Sequence, residues 1–145
     1  MPLIYLIGSL RNSNVPKIGD ELRSAGFEVF DEWHSAGEIA DDSFRDYCNG
    51  RGLTYKQALK TYAAKHIFEF DRKHISRADI VVLVMPAGKS GHLELGWALG
   101  QGKYGYVMFE EIPERYDQMY QFANDIFLSK EEMIDELRRI HLNRS

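Results

Sequence analysis

The sequence is short of cysteine and of long apolar runs, and each shortage excludes a class of protein. Cys48 is the only cysteine, so no disulfide can form within the chain. No apolar stretch approaches the roughly 20 residues that a membrane-spanning helix needs. The sequence near Met1 shows no secretory signal pattern. The expected compartment is therefore the cytoplasm, with no membrane as a partner.

Positive charge is also scarce. The chain has 18 Lys and Arg against 22 Asp and Glu, a formal net charge of -4. A nucleic-acid polymer requires a clustered basic excess, so a small metabolite or a protein is the better expectation. The five histidines are scattered without the close pairing of metal sites. We expect no metal and no other cofactor. With 145 residues, 44% of them hydrophobic, the chain fits one domain over residues 1–145.

The segment 79–109 has the pattern of a strand, a helix and a second strand. Ile80 to Met85 is an unbroken apolar run, typical of a parallel strand buried on both faces. The run leads through Gly88 to Gly91 into an apolar helix that ends near Gly100, and Tyr104 to Phe109 forms the next strand. The small residues Gly91, Gly96 and Ala98 are expected to keep this helix close to the sheet. In open sheets of this kind, ligands bind at the carboxyl edge of the strands.

The remaining strands and helices follow the same alternation. Strands are predicted at Leu3 to Ile7, Phe27 to Phe30 and Ile126 to Leu128. These predict an α/β, flavodoxin-like, doubly wound five-stranded parallel sheet with helices on both faces. The first of these further helices is predicted to run from Ser13 or Asn14 to Gly26. A long helix of about 35 Å is predicted from the capping box of Thr54 and Gln57 to Ala78. A short helix is predicted over Pro113 to Tyr120, and a last one after the capping box of Ser129 and Glu132.

Two stretches at the carboxyl edge are candidates for ligand binding. Gly8 and Ser9 follow the first strand and precede a helix, where backbone N–H groups favour an anion, and Arg11 adds a charged fork. A plain tight turn with an exposed arginine is an equally good interpretation. The segment 31–53 shows no sustained period, and it is expected to be an irregular connection that places Trp33 near the edge. A surface excursion with one apolar anchor is the common alternative.

Two carboxyl groups stand out. Asp71 lies between Ile67 and Ile75 on the apolar stripe of its predicted helix. It is either a site residue or a structural acid paired with Arg72 or Arg77. With Gly91 as N-cap, Glu94 takes the third helical position, where the helix dipole should keep it ionised. An ionised carboxylate at a cleft can attack the anomeric carbon of a sugar. A helix-capping role is the alternative.

The segment 91–103, GHLELGWALGQGK, resembles the signature of the nucleoside 2-deoxyribosyltransferase superfamily. The resemblance implies that Glu94 is the nucleophile of a covalent deoxyribosyl intermediate. It also implies that Asp71 helps to protonate the leaving base. The opening YLIGSLR, residues 5–11, resembles the 2′-deoxynucleoside 5′-phosphate N-hydrolase branch, in which the tyrosine supports the nucleophile.

By that resemblance, Tyr5 supports Glu94, and Gly8, Ser9 and Arg11 hold a 5′-phosphate. The hydrolase branch also has a phosphate-binding serine in the loop before the nucleophile, which assigns substrate binding to Ser90 beside Gly91. The transferases place a base-reading acid there, whereas this chain has Ala87 to Ser90. The missing acid favours hydrolysis over transfer, and Ser9 and Arg11 favour a nucleotide over a nucleoside, with both alternatives still open.

The resemblance further implies a homodimer or a higher homo-oligomer in which a neighbouring subunit completes the pocket. The aromatic, amphipathic segment 119–124, which ends at Asn124, is the candidate to reach across. Asn124 is accordingly predicted to bind substrate.

The main hypothesis is an enzyme that cleaves or transfers at the N-glycosidic bond of a 2′-deoxynucleoside or its 5′-monophosphate. NAD-cleaving domains also have a sheet of this topology with a carboxylate at its edge, so an NAD glycohydrolase-like enzyme is the second hypothesis. The third is a non-catalytic nucleotide-binding or sensing protein in which Glu94 only caps a helix.

Overall fold

The structure, a computed structural model, describes residues 1–142, and within them five parallel strands form one sheet. The strands are β1 (Leu3–Ile7), β2 (Glu28–Phe30), β3 (Ile80–Val84), β4 (Tyr104–Met108) and β5 (Asp125–Phe127). Their order is β2-β1-β3-β4-β5, and every neighbouring pair is parallel. This is the flavodoxin-like order, so the predicted fold class is confirmed.

Helices cover both faces of the sheet. They are α1 (Asn14–Ser24), α2 (Ala40–Gly50), α3 (Tyr55–Ala58), α4 (Tyr62–Arg77), α5 (Lys89–Gly100) and α6 (Lys130–His141). On one face, α1 and α6 bury Leu22 and Met133 against the strands. On the other, which we call the α4/α5 face, Ile75, Leu95 and Ala98 pack against the opposite side chains of the same strands. None of the helices within residues 1–142 combines the length and the apolar character needed to cross a bilayer.

Strand β3 is the centre of the sheet, as its apolar run predicts. All five of its residues are buried, and it pairs with β1 on one side and β4 on the other. Because neighbouring parallel strands end at the same edge, the loops after β1 and β3 meet at the carboxyl edge. Those loops carry Gly8 to Arg11 and Gly88 to Gly91.

The prediction of an irregular connection over residues 31–53 is wrong. The segment contains a 3₁₀ helix, Glu32–Ala36, and the three-turn helix α2. Sequence signals for α2 are weak because its N-cap, Ile39, offers no capping side chain and Cys48 is its only buried residue. A helix that buries so little shows no clear apolar stripe.

The single long helix predicted from Thr54 to Ala78 is also wrong, because the chain breaks into α3 and α4. The capping box of Thr54 and Gln57 is present as expected, but Thr61 caps a second helix start by accepting the backbone N–H of Ala64. Helix α4 has 16 residues and therefore extends roughly 24 Å rather than 35 Å.

The carboxyl-terminal elements are close to those predicted. The helix expected over Pro113 to Tyr120 is instead a 3₁₀ helix at Gln118–Phe122. Strand β5 begins one residue earlier than expected. The capping serine before α6 is confirmed, since the Ser129 hydroxyl accepts the backbone N–H of Glu132. These differences leave the carboxyl edge of β1 and β3 as predicted.

Candidate active site

Tyr5 lies in the middle of β1 and points to the α4/α5 face. It is 2% exposed, and its hydroxyl donates a hydrogen bond to the Glu94 carboxylate. Phe30 of β2 stacks on the Tyr5 ring with centroids 5.4 Å apart, and His74 of α4 stacks on Phe30 at 4.0 Å. Packing therefore fixes the Tyr5 ring. The supporting Phe30 was not found from sequence, because an apolar residue at a strand end carries no functional signal.

Glu94 lies in the second turn of α5, not in the first. The helix begins at Lys89, and its N-cap is Gly88, three residues before the predicted N-cap Gly91. Either glycine can end a loop and begin a helix, so sequence does not distinguish them. The Glu94 side chain is half-buried, and its Oε2 atom is buried without a hydrogen-bond partner among the described residues. A buried polar atom left unpaired is destabilising, and such atoms recur at functional sites.

The Glu94 carboxyl is not fully ionised at neutral pH, contrary to the expectation from the helix dipole. Its pKa is raised from 4.5 to about 7, mainly by burial and then by the Asp71 charge, and the hydrogen bond from Tyr5 opposes both. Burial, followed by the charges of Glu94 and Asp71, also raises the pKa of Tyr5. The three side chains are electrostatically coupled, so the structure brings Tyr5, Asp71 and Glu94 together.

Asp71 is half-buried on α4, and burial raises its pKa. Arg72, one of the partners considered for it, instead binds Glu69 with a 2.6 Å contact. Among the ion pairs of residues 1–142, none involves Asp71. The interpretation of Asp71 as a structural acid in a salt bridge therefore has no support, and its charge acts on Glu94 and Tyr5.

Residues 8–12 form a tight turn after β1. The backbone N–H of Arg11 donates to the Ser9 hydroxyl at 3.1 Å, and the backbone N–H of Asn12 donates to the Ser9 carbonyl at 3.0 Å. The Arg11 guanidinium extends to Asp42 of α2, with Nη2 and Oδ2 3.3 Å apart. Gly8 and Ser9 thus lie at the predicted edge, while the Arg11 charge is already paired.

A cavity of about 170 Å³ lies at this edge, where the turn after β1 meets the start of α5. It is lined by Gly8, Ser9, Leu10, Arg11, Glu38, Asp41, Gly88, Lys89, Ser90 and Gly91. Ser90 and Gly91 are therefore placed with Ser9, as predicted. Gly91 is one turn before Glu94 on α5, so the lining of the cavity reaches α5 one turn from Glu94, although Glu94, Tyr5 and Asp71 are not among its lining residues.

Three acids near the cavity were missed by the sequence analysis. Glu38 and Asp41 line it, and Asp42 holds Arg11. All three belong to the segment that was expected to be irregular, so no helical pattern assigned them a face. The position of this segment after the carboxyl end of β2 was the one signal that it could cover the site.

Trp33 anchors the 3₁₀ helix to the end of β1. Its Nε1–H donates to the Leu6 carbonyl at 2.7 Å. Its ring packs against the apolar clusters on both faces of the sheet. His34 adds a second link, with Nε2 3.0 Å from the Asn12 carbonyl. Trp33 therefore has a structural role as an anchor, and contact of Trp33 with a substrate stays a prediction.

Asn124 does not lie with the other predicted residues. Its Oδ1 accepts the backbone N–H of Gly105 at 2.8 Å, at the amino end of β4 and the opposite edge of the sheet. Nearby, Tyr120 contacts the start of α5, with its hydroxyl 2.9 Å from His92 Nε2. A contact of Asn124 with substrate in a neighbouring subunit stays a prediction.

The glycines of α5 have different roles. Gly91 and Gly96 are both expected to lie where the helix meets the sheet. Gly91 is buried, and a Cβ there would be 3.0 Å from Leu83 Cδ1 and 3.1 Å from Ile7 Cγ2. Gly96 is exposed, and a Cβ there would meet nothing within 4 Å. The expectation is confirmed for Gly91 and wrong for Gly96.

Alanine at these two positions should change stability in opposite directions. Gly91→Ala overpacks a rigid core and should lower the free energy of unfolding by about 1–3 kcal/mol. Gly96→Ala should raise it by about 0.5–1 kcal/mol, because alanine is the better helix former. Urea unfolding of both variants measures this, and an equal effect of the two would contradict the packing of α5.

The cluster has the groups for nucleophilic or acid–base chemistry. Two carboxyls with raised pKa and a tyrosine hydroxyl meet near a cavity at the carboxyl edge. Within residues 1–142, no group of three or more His, Cys, Asp or Glu side chains is arranged to hold a metal ion.

Comparison with protein-family models and with curated protein sequences finds no match. Comparison with solved structures finds the same fold in enzymes. One is a 2-deoxyribosyltransferase from the psychrotolerant bacterium Bacillus psychrosaccharolyticus, with a TM-score of 0.64, 20% identity, and coverage of 92% of this chain and 90% of that one. Another is the CMP N-glycosidase of Clostridium botulinum, with a TM-score of 0.56, 15% identity, and coverage of 93% and 97%. The resemblance seen in residues 91–103 is thus confirmed at the level of the fold.

Proposed function

We propose that this protein cleaves or transfers at the N-glycosidic bond of a 2′-deoxynucleoside or its 5′-monophosphate. The observation that supports this most is the coupled cluster of Tyr5, Asp71 and Glu94, in which a buried carboxylate oxygen of Glu94 has no hydrogen-bond partner among residues 1–142. The fold shared with a deoxyribosyltransferase and an N-glycosidase supports the same class of reaction.

In the proposed reaction, a carboxylate oxygen of Glu94 attacks the anomeric carbon of the sugar. The C–N bond breaks, its electron pair goes to the base, and Asp71 donates a proton to the leaving base. Water or a second base then attacks the same carbon, returns a proton to Asp71, and releases the Glu94 carboxylate. Burial raises the pKa of both carboxyls, so the pair holds a proton near neutral pH. The reactive form carries this proton on Asp71.

Tyr5 supports the nucleophile in this scheme. Its hydroxyl donates a hydrogen bond that lowers the pKa of Glu94 and so favours the ionised form. Gly8, Ser9, Arg11, Ser90 and Gly91 would bind the 5′ end of the sugar, because they surround the neighbouring cavity.

The direct test is to incubate the protein with each 2′-deoxynucleoside and each 5′-monophosphate and to detect free base by chromatography. We expect base release in the parent and none in a Glu94→Gln variant. Addition of a second base separates transfer from hydrolysis, because only transfer produces a new nucleoside. Base release that Glu94→Gln leaves unchanged would contradict the proposed role of Glu94.

The same assay distinguishes the other hypotheses. Release of nicotinamide from NAD, without cleavage of any deoxynucleoside, would indicate the NAD glycohydrolase-like activity. Thermal stabilisation by nucleotides without turnover of any of them would indicate a binding or sensing protein, since a ligand of the native state raises apparent stability.

We further propose that the chain forms a homo-oligomer through the α4/α5 face. Helix α4 buries only Ile75, while its apolar residues Tyr62, Ile67, Phe68 and Phe70 are exposed. On the same face, Leu93 is 76% exposed. Exposed apolar surface of this extent is typical of an interaction site.

Sedimentation equilibrium should show that the parent is a dimer or a larger oligomer, and Phe68→Glu should shift the equilibrium toward the monomer. A monomeric parent would contradict this interface.

A further inference from the structure

The cavity beside the Glu94 cluster has an unusual balance of charge for a phosphate site. Its lining cations are Arg11 and Lys89, and its lining carboxylates are Glu38 and Asp41. The lining therefore carries two positive and two negative side chains. A dianionic phosphate in this space would meet no net positive charge from the side chains that surround it.

A third carboxylate already occupies Arg11. Asp42 holds the Arg11 guanidinium at 3.3 Å, and it also lies 3.7 Å from Arg45. A phosphate would have to compete with Asp42 for Arg11. Glu38, Asp41 and Asp42 all come from the segment between β2 and α3, and we call these three residues the acidic cover.

The acidic cover, which repels a phosphate, can bind a neutral sugar hydroxyl. Carboxylates accept hydrogen bonds and donate none when ionised, so a 5′-hydroxyl can donate to them. Ser9 and Ser90 can act as donor or acceptor toward the same hydroxyl. A phosphate, which is only an acceptor when ionised, would be repelled by Glu38 and Asp41.

We infer that the acidic cover makes this site select the neutral 5′-hydroxyl of a nucleoside over a 5′-phosphate. This inference rests on the proposed function and specifies its substrate class. It reverses the expectation from Ser9 and Arg11 alone, which favoured a nucleotide. Those two residues lie in the turn after β1, whereas the acids that change the charge lie on a different segment, whose position only the structure shows.

The inference is tested by the ratio of kcat/KM for deoxynucleosides to kcat/KM for their 5′-monophosphates. The parent should prefer the nucleoside, and the combined variant Glu38→Gln, Asp41→Asn, Asp42→Asn should shift the ratio toward the monophosphate by about tenfold. Each exposed charge interaction is worth up to about fivefold in affinity, so three together reach this size. The shift should shrink at high salt, because exposed charges are screened.

Asp46→Asn is the matched control, since Asp46 lies on α2 and pairs with Arg45 but does not line the cavity. It should leave the ratio unchanged.

Binding of the same ligands to a Glu94→Gln protein, with and without the three substitutions, measures the selectivity by calorimetry even if the parent cleaves nothing. Binding with the expected ratios but no turnover overturns the proposed function and supports the selectivity. A parent that prefers monophosphates, a ratio that the triple variant leaves unchanged, or binding of neither ligand overturns the inference.

Discussion

Glu94→Gln is expected to abolish base release and, at alkaline pH, to stabilise the fold. Loss of a covalent nucleophile should reduce turnover by about 10³-fold or more. The stabilisation follows from the buried carboxylate, whose Oε2 has no hydrogen-bond partner among residues 1–142. Glutamine keeps the size of the side chain and removes the charge that burial disfavours.

The stabilisation should depend on pH in a defined direction. The pKa of Glu94 is raised from 4.5 to about 7 in the folded chain, mainly by burial and then by the Asp71 charge. The folded state therefore binds this proton more tightly than the unfolded chain, and the parent loses stability as pH rises from about 4.5 to 7. Each tenfold change in proton affinity is worth about 1.4 kcal/mol, which limits the gain for Glu94→Gln to about 3 kcal/mol above pH 7.

Urea unfolding at pH 4.5 and pH 8.5 measures this difference. The parent and Glu94→Gln should be similar at the lower pH, and the variant should be more stable at the higher one. Glu69→Gln is the matched control, because Glu69 is an exposed glutamate paired with Arg72. A variant that is less stable than the parent at pH 8.5 would show that the Glu94 charge is compensated in the fold.

Asp71→Asn and Tyr5→Phe are expected to move the titration profile of the Glu94 carboxyl in opposite directions. The Asp71 charge raises the pKa of Glu94, and the Tyr5 hydrogen bond lowers it. An NMR titration of the Glu94 carboxyl in the parent should show a pKa of about 7. Asp71→Asn should move this titration to lower pH, and Tyr5→Phe should move it to higher pH.

Both variants should also lose activity. Asp71→Asn removes the proposed proton donor, and general acid catalysis contributes about 10²–10⁴-fold. The opposite shifts separate an electrostatic role from a packing defect, because a loosened core would not move the two profiles in opposite directions. Tyr104→Phe, at an exposed tyrosine at the amino edge, should leave the profile unchanged. Shifts of the same sign for Asp71→Asn and Tyr5→Phe would contradict the coupling.

The strand order, and the edge of the sheet at which the candidate site lies, were predictable because short sequence patterns determine them. The β3 run can only be a strand buried on both faces, and the capping boxes at Thr54 and Ser129 begin helices as expected. Parallel strands then place the ends of β1 and β3 together. The grouping of Tyr5 with Glu94 follows from that arrangement.

What sequence could not predict depends on packing. Helix α2 was missed because it buries only Cys48, and the acids around the cavity were missed with it. Glu94 was expected to be ionised from its position on the helix, but its protonation is decided by burial and by Asp71, which is distant in sequence. The apolar stripe of α4 was read as core, although most of it is exposed in the single chain. An apolar stripe predicts burial without identifying the partner.

The most direct test of the central claim is mass spectrometry of the protein quenched in acid during turnover of a deoxynucleoside. We predict a deoxyribosyl group attached to the peptide that contains Glu94, and no adduct in Glu94→Gln. Base release by the parent with no adduct on that peptide, together with release by Glu94→Gln, would show that the reaction does not pass through Glu94.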